Sequence, residues 1–91
     1  EEAARISSIL LSERLISCSQ VTDIKSAYYW NGKIETAKEY LLKVKTKKEL
    51  YKEVEKTILK YHSYDVPEIV SYDIIDGHDD YLQWIEKETR W

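Results

Sequence analysis

Two extended runs, SCSQVTDIKSAYYW and KIETAKEYLLKVKT, flank the dipeptide Asn31-Gly32. Both turn residues tolerate positive φ, which a tight two-residue hairpin requires. This signal predicts one long two-stranded antiparallel ribbon. In its second half Ile34, Tyr40, Leu42 and Val44 share one parity. Glu35, Glu39, Lys43 and Lys45 share the other, so the ribbon has a dry face and a wet face.

Helical patterns surround the ribbon. From Ala3 to about Ser17, Ala3, Ile6, Leu10 and Leu11 fall on one arc, with Glu1, Arg5, Ser8 and Ser12 opposite. Ile9 and Ile16 land near the polar arc, as exposed apolar residues or as contacts for a partner. A second helix is expected to begin at Thr46, where TKKE reads as a capping box joining Thr46 and Glu49. Leu50, Val54, Ile58 and Tyr61 give it an apolar stripe at helical spacing. Val66-Pro67 forces extension, so PEIVSYDII reads as a strand. Asp76-Gly77 marks a turn. Residues from about Asp79 to Glu88, carrying Tyr81, Leu82 and Ile85, read as the last helix.

The order is therefore α-β-β-α-β-α in a single expected domain, residues 1–91. A strand that follows a helical crossover lies parallel to the strand before it. The fold class is thus α+β, a sandwich with helices on one face of the sheet. The first helix has no strand feeding it. Supplying one yields the ferredoxin-like βαββαβ split plus a C-terminal helix, with the supplied strand central. Without it, the 67–75 run has no ladder partner. The reading therefore expects a first strand of roughly 5–8 residues that this chain does not carry, or a strand donated by a neighbouring chain.

Composition narrows the function classes. Hydrophobic residues at 43% and charged residues at 34%, with two Gly and one Pro, fit a soluble globular chain. Net charge is −3, so the basic footprint of a nucleic-acid binder is absent. KVKTKK, residues 43–48, reads as a solvated strand end and first helical turn. No run of about 18 apolar residues suggests a membrane span. EEAAR reads as helix rather than signal peptide. One Cys excludes an intrachain disulfide and fits a reducing, cytoplasmic setting. Eight Tyr and three Trp, without Phe or Met, suit either an interface or a small core. A thin core also makes oligomerisation one way to recover burial.

Several segments together resemble the CutA family of divalent-cation tolerance proteins. EEAARI and LSERLISC are similar to the family's first helix and its arginine-leucine-cysteine exit. YYWNGKIE resembles its aromatic hairpin, and VKT its isoleucine-lysine-threonine before the second helix. HSYDVPEI resembles histidine-proline-tyrosine-glutamate-x-proline-glutamate-isoleucine, and YLQWI the tyrosine-leucine-x-tryptophan-isoleucine of the last helix. The resemblance implies a ferredoxin-like fold with a first strand and a tight homotrimer whose long hairpins join neighbouring sheets, leaving no free edge. The architecture it implies is PII-like, with effector clefts between subunits. Three departures stand out. Ser63 replaces the usual proline and Asp65 the usual glutamate, and the loop after Cys18 is about one residue short, without the family's proline-glycine turn.

The chemistry is weighed on a few side chains. His62, at the expected end of the second helix, is either a helix C-cap or a copper or zinc ligand. Cys18 is either a small buried hydrophobe or a soft ligand beside it, with carboxylates from Asp65 or Glu68. No C-x-x-C or H-x-x-x-H spacing preassembles a site. Copper or another divalent metal is therefore expected to bind weakly, assembled between subunits. By resemblance, Glu68 joins Lys45, Tyr64 and Trp30 at a subunit cleft, and Trp30 and Trp84 can stack on a ligand or simply pack. His78, in a turn, is assigned nothing. No nucleophile–base spacing or glycine-rich phosphate loop supports an enzyme. The expected function is divalent-cation (copper) tolerance by binding or signalling. The alternatives are a structural or interaction trimer without physiological metal and, more remotely, an enzyme using the subunit cleft.

Overall fold

The computed structural model describes residues 1–90. Its elements are helix α1 (Glu2–Ser12), strands β1 (Cys18–Trp30) and β2 (Lys33–Lys45), a 3-10 turn at Lys48–Leu50, helix α2 (Tyr51–Tyr61) and helix α3 (Asp79–Glu88). β1 and β2 pair antiparallel from Cys18↔Lys45 to Trp30↔Lys33. Asn31 and Gly32 both have positive φ, 53° and 77°, as the hairpin signal requires. A strand of this length runs about 40 Å, so the ribbon spans most of the 45 Å long axis.

The core lies between one end of the ribbon and the two helices. Ile6 and Leu10 of α1, Leu15 and Ile16 of the following loop, Leu50 and Val54 form one buried cluster. Leu42, Val44, Ile58 and Tyr61 pack against it. Ser7 of α1 and Ser19 of β1 share a hydrogen bond between their hydroxyls, which ties the helix to the ribbon's core face. Among the described residues all seven buried hydrophobics are aliphatic, and Tyr61 is the one aromatic that packs against their cluster.

α1 ends five residues earlier than its apolar pattern suggests. Arg14 adopts φ 56°, its N–H donates to the Leu11 carbonyl at 3.0 Å, and the Leu15 N–H donates to the Leu10 carbonyl at 3.0 Å. These are the two bonds of a Schellman cap, with Leu10 and Leu15 as its apolar contact. The left-handed residue turns the chain back over α1. Ile16 is consequently buried at 1% exposure rather than lying on a polar helical arc, because helical periodicity no longer applies to it.

The expected capping box does not form. The 3-10 turn and α2 have no side-chain cap. The Thr46 hydroxyl instead donates to the Leu15 carbonyl at 2.6 Å. Its proton goes to a tertiary carbonyl rather than serving a local cap. Together with the Ser17 N–H donating to the Lys45 carbonyl at 2.9 Å, it binds the exit of α1 to the end of β2.

Two further expectations need correction. The ribbon's dry face is dry only near the core: Leu42 and Val44 are shielded, whereas Ile34 and Tyr40 lie beyond the reach of the helices and are exposed. The 67–75 run is extended in sequence character but forms no strand, since β1 and β2 are the only paired strands among the described residues. The physical reason is the missing neighbour: no described element offers it a ladder, and Tyr72 and Ile75 stand 88% and 96% exposed. The last helix forms where expected, with Ile85 buried and Tyr81 exposed. No helix among the described residues is long and apolar enough to cross a membrane.

Candidate functional site

The chain leaves α2 at His62, which takes extended dihedrals while its N–H still donates to the Ile58 carbonyl at 2.8 Å. The next residues are clasped by Glu2, in the first turn of α1. The Ser63 N–H donates to Glu2 Oε2 at 2.6 Å, and the Ser63 hydroxyl donates to Oε1 at 2.9 Å. These bonds favour the ionised carboxylate and hold Glu2 below the ordinary carboxyl range, the Ser63 amide acting most strongly.

His62 Nδ1 sits 3.4 Å from Glu2 Oε2 and 3.1 Å from the Tyr64 N–H. The two contacts are alternatives. Accepting the Tyr64 amide requires a bare Nδ1, whereas an ion pair with Glu2 requires a protonated one. Either way Nδ1 is engaged, and Nε2 is the nitrogen left for a ligand. The His62 and Tyr64 rings lie 4.9 Å apart at 60°. The Tyr64 hydroxyl reaches Glu39 Oε2 of β2 at 3.3 Å, and this neighbouring negative charge raises the phenol above its ordinary value.

A second group gathers at the start of the ribbon. Cys18 faces Lys45 across the ladder, and Lys45 Nζ donates to Gln20 Oε1 at 3.0 Å. Lys45 therefore lies on the wet face, as its parity indicates. The remaining candidates are dispersed. Trp30 is at the hairpin tip, the whole ribbon away from Lys45. Glu68 is exposed in the unpaired run. Trp84 lies on α3 with its ring stacked on Tyr81, centroids 5.8 Å apart.

The chain thus brings His62 and Tyr64 together and sets Cys18 beside Lys45, but it does not unite all the candidates. Among the described residues no three His, Cys, Asp or Glu side chains converge to hold a metal ion. His62 and Cys18 alone do not make a metal site, because a divalent ion needs more donors.

Sequence reasoning missed Glu2, Ser63 and Glu39 as members of the His62 cluster. Glu2 carries no local signal, since its partner lies 61 residues away. Ser63 did carry one. A proline there has neither the N–H nor the hydroxyl that holds Glu2, so the departure from the family pattern is what creates the clasp.

A family model described as CutA1 divalent ion tolerance protein matches residues 1–88. The chain is 40% identical over 90 residues to a divalent-cation tolerance protein CutA of Pyrococcus horikoshii, covering 99% of this chain and 88% of that one. A crystal structure of CutA1 from Pyrococcus horikoshii superposes with a TM-score of 0.95 at 38% identity, covering 100% of this chain and 89% of that chain. A structure described as the periplasmic divalent cation tolerance protein CutA from Archaeoglobus fulgidus gives 0.94 at 39% identity, covering 96% and 85%. The fold is α+β and consistent with the ferredoxin-like class.

Proposed function

The chain belongs to the CutA1 divalent ion tolerance family, and from that premise we propose that it serves divalent-cation tolerance by binding rather than by catalysis. It acts as a cytoplasmic homotrimer with PII-like clefts between subunits. Trp30, Lys45, Tyr64, Glu68 and Trp84 line those clefts. Copper, or another divalent metal, binds weakly near His62 and Cys18, with donors from more than one subunit.

One observation carries this reading. Lys45 and Trp30 lie at opposite ends of a ribbon whose register runs without a break from Cys18↔Lys45 to Trp30↔Lys33. At about 3.3 Å per residue the ribbon keeps them roughly 40 Å apart. They can share a cleft only if they belong to different chains. The uncovered side chains Tyr29, Ile34 and Tyr40 supply the apolar surface that such an assembly would cover.

Light scattering after size exclusion tests the assembly: the expected mass is three chains, and a concentration-independent monomer refutes it. Copper titration of the wild type against His62→Ala and Cys18→Ala tests the metal reading, with weaker binding expected in both variants. Equal, weak binding by all three favours a second reading, an interaction trimer with no physiological metal. The lack of C-x-x-C or H-x-x-x-H spacing in the sequence motivates that alternative.

A further inference from the structure

Asn31 is the chain's only asparagine, and Gly32 follows it at the tip of the hairpin. Both residues are exposed. A Cβ placed on Gly32 would meet nothing within 4 Å, so the approach to its backbone is open on that side. The tip lies at the far end of the ribbon from the aliphatic core, and the ladder pair Trp30↔Lys33 closes it. Such a tip belongs to the low-stability end of local opening.

An asparagine followed by glycine carries its own electrophile and nucleophile, and asparagine is a thermolabile residue for this reason. The Gly32 nitrogen can bond to Asn31 Cγ and close a cyclic imide through the Asn31 main-chain carbonyl carbon, Cα and Cβ. The Gly32 nitrogen gives its proton to water, and the carboxamide nitrogen leaves as ammonia. Water then opens the ring. Cleaving the new bond to Cγ leaves an ordinary aspartate. Cleaving the bond to the main-chain carbonyl carbon leaves isoaspartate, with Cβ now part of the backbone. The sum is one water in and one ammonia out, with nothing oxidised or reduced.

We infer that Asn31 is a site of spontaneous deamidation and that its left-handed turn gates the reaction. Asn31 has φ 53°. The left-handed well also holds ψ at about +30 to +60°, which turns the Gly32 nitrogen to the side of the Cα–C bond opposite Asn31 Cβ. Ring closure needs that nitrogen over Cγ, on the same side as Cβ. The closed hairpin therefore holds the pair in an unreactive arrangement, and reaction requires the tip to open. The two products differ in what they leave behind. Aspartate suits the same turn, because Asp-Gly also takes positive φ at both positions. Isoaspartate lengthens a two-residue connection, and Trp30↔Lys33 is the pair that must give. Both products add a negative charge at the tip. Asp76-Gly77 has no carboxamide to lose, so mass separates the two dipeptides.

Lys25 and Lys33 flank the site, so trypsin releases residues 26–33 as one peptide. The purified full chain is held at neutral pH and physiological temperature, beside a synthetic peptide of residues 26–33 that has no turn to open. Intact mass and the tryptic peptide are followed by mass spectrometry. The chain is expected to gain the mass of one exchange of NH2 for OH, all of it in that peptide. The peptide should resolve into two products, one of them coeluting with the peptide from Asn31→Asp. Conversion should run about tenfold slower than in the free peptide, the factor that about 1.4 kcal/mol of tip opening imposes. Asn31→Gln, whose longer side chain closes a ring less readily, should hold its mass. A chain whose mass stays constant while the free peptide converts fully would overturn the site. So would a gain that maps to Gln20 or Gln83, or one that persists in Asn31→Gln. Conversion as fast as in the free peptide would overturn the gate.

Discussion

Thr46 has two competing structural readings, and a pair of substitutions separates them. The capping-box reading makes Thr46 and Glu49 a reciprocal pair at the start of a helix. The structure instead gives the Thr46 hydroxyl to the Leu15 carbonyl at 2.6 Å and leaves Glu49 exposed. Thr46→Val keeps the branched shape and removes only the donor. The Leu15 carbonyl then loses an acceptor's partner in a partly buried position. Leaving such a group unsatisfied costs about 1–3 kcal/mol, and partial exposure places this case near the lower half, about 1–2 kcal/mol. For a domain of this size each kcal/mol corresponds to a loss of about 4–8 °C in Tm. Glu49→Ala should cost almost nothing, because nothing in the structure engages its carboxylate as a cap.

Thermal unfolding of the wild type, Thr46→Val, Thr46→Ser and Glu49→Ala, followed by circular dichroism, checks this. Protein concentration must be fixed, because association makes Tm concentration-dependent. Thr46→Ser retains the hydroxyl and should recover most of the loss. A Glu49→Ala variant as destabilised as Thr46→Val would restore the capping box and refute the tertiary bond. The result bears on the functional region directly, since Thr46 holds the junction that places Lys45 on one side and Lys47 on the other.

Three further outcomes follow from the same packing. Leu10→Ala removes a fully buried side chain that also closes the Schellman cap against Leu15; a loss of about 2–5 kcal/mol is expected by urea denaturation. Gly32→Ala meets open space, so its effect is purely backbone: φ 77° disfavours a Cβ, with about 1 kcal/mol of cost expected. Glu2 is held below its ordinary pKa by the Ser63 amide and hydroxyl. Its contribution is therefore present above the ordinary carboxyl range and lost as pH falls through the lowered value, so Glu2→Gln should flatten the acid limb of the stability–pH curve while Ser63→Pro weakens the same limb.

Much of the fold was legible because its signals are local. Asn31-Gly32 specifies its own turn, and the stripe of Leu50, Val54, Ile58 and Tyr61 needs only helical spacing to find the core. What was misread depends on distant partners. The Thr46 hydroxyl could accept from a local helix amide or donate to a distant carbonyl, and only the position of Leu15 reveals the second. The end of α1 was misplaced because Arg14 takes a left-handed conformation without being Gly or Asn, the residues that usually announce it. The unpaired state of 67–75 follows from topology, not from its own extended character. The candidate site was legible in part: His62 and Tyr64 meet, as their spacing across an extended segment allows, while Glu2 and Glu39 reach them from elements far away in sequence.

The division between aliphatic core and aromatic exterior sharpens the question of assembly. Ile, Leu and Val suffice to close the space between the ribbon and two helices, so Trp30, Tyr64 and Trp84 remain outside it, 59%, 56% and 40% exposed. Tyr and Trp suit that position, with an apolar body for a partner and a polar tip for water. On the proposed trimer, each chain then presents fragments of a cleft that another chain completes. Ligand binding and association become one linked equilibrium: a ligand that binds only the assembled cleft must strengthen assembly by the factor that assembly strengthens the ligand. Sedimentation velocity across a dilution series, with and without copper, measures this. Copper is expected to lower the concentration at which the trimer dissociates, and His62→Ala to reduce that shift. A dissociation profile unchanged by copper, in a protein that still binds it, would place the metal within single chains and remove the inter-subunit cleft from the metal reading.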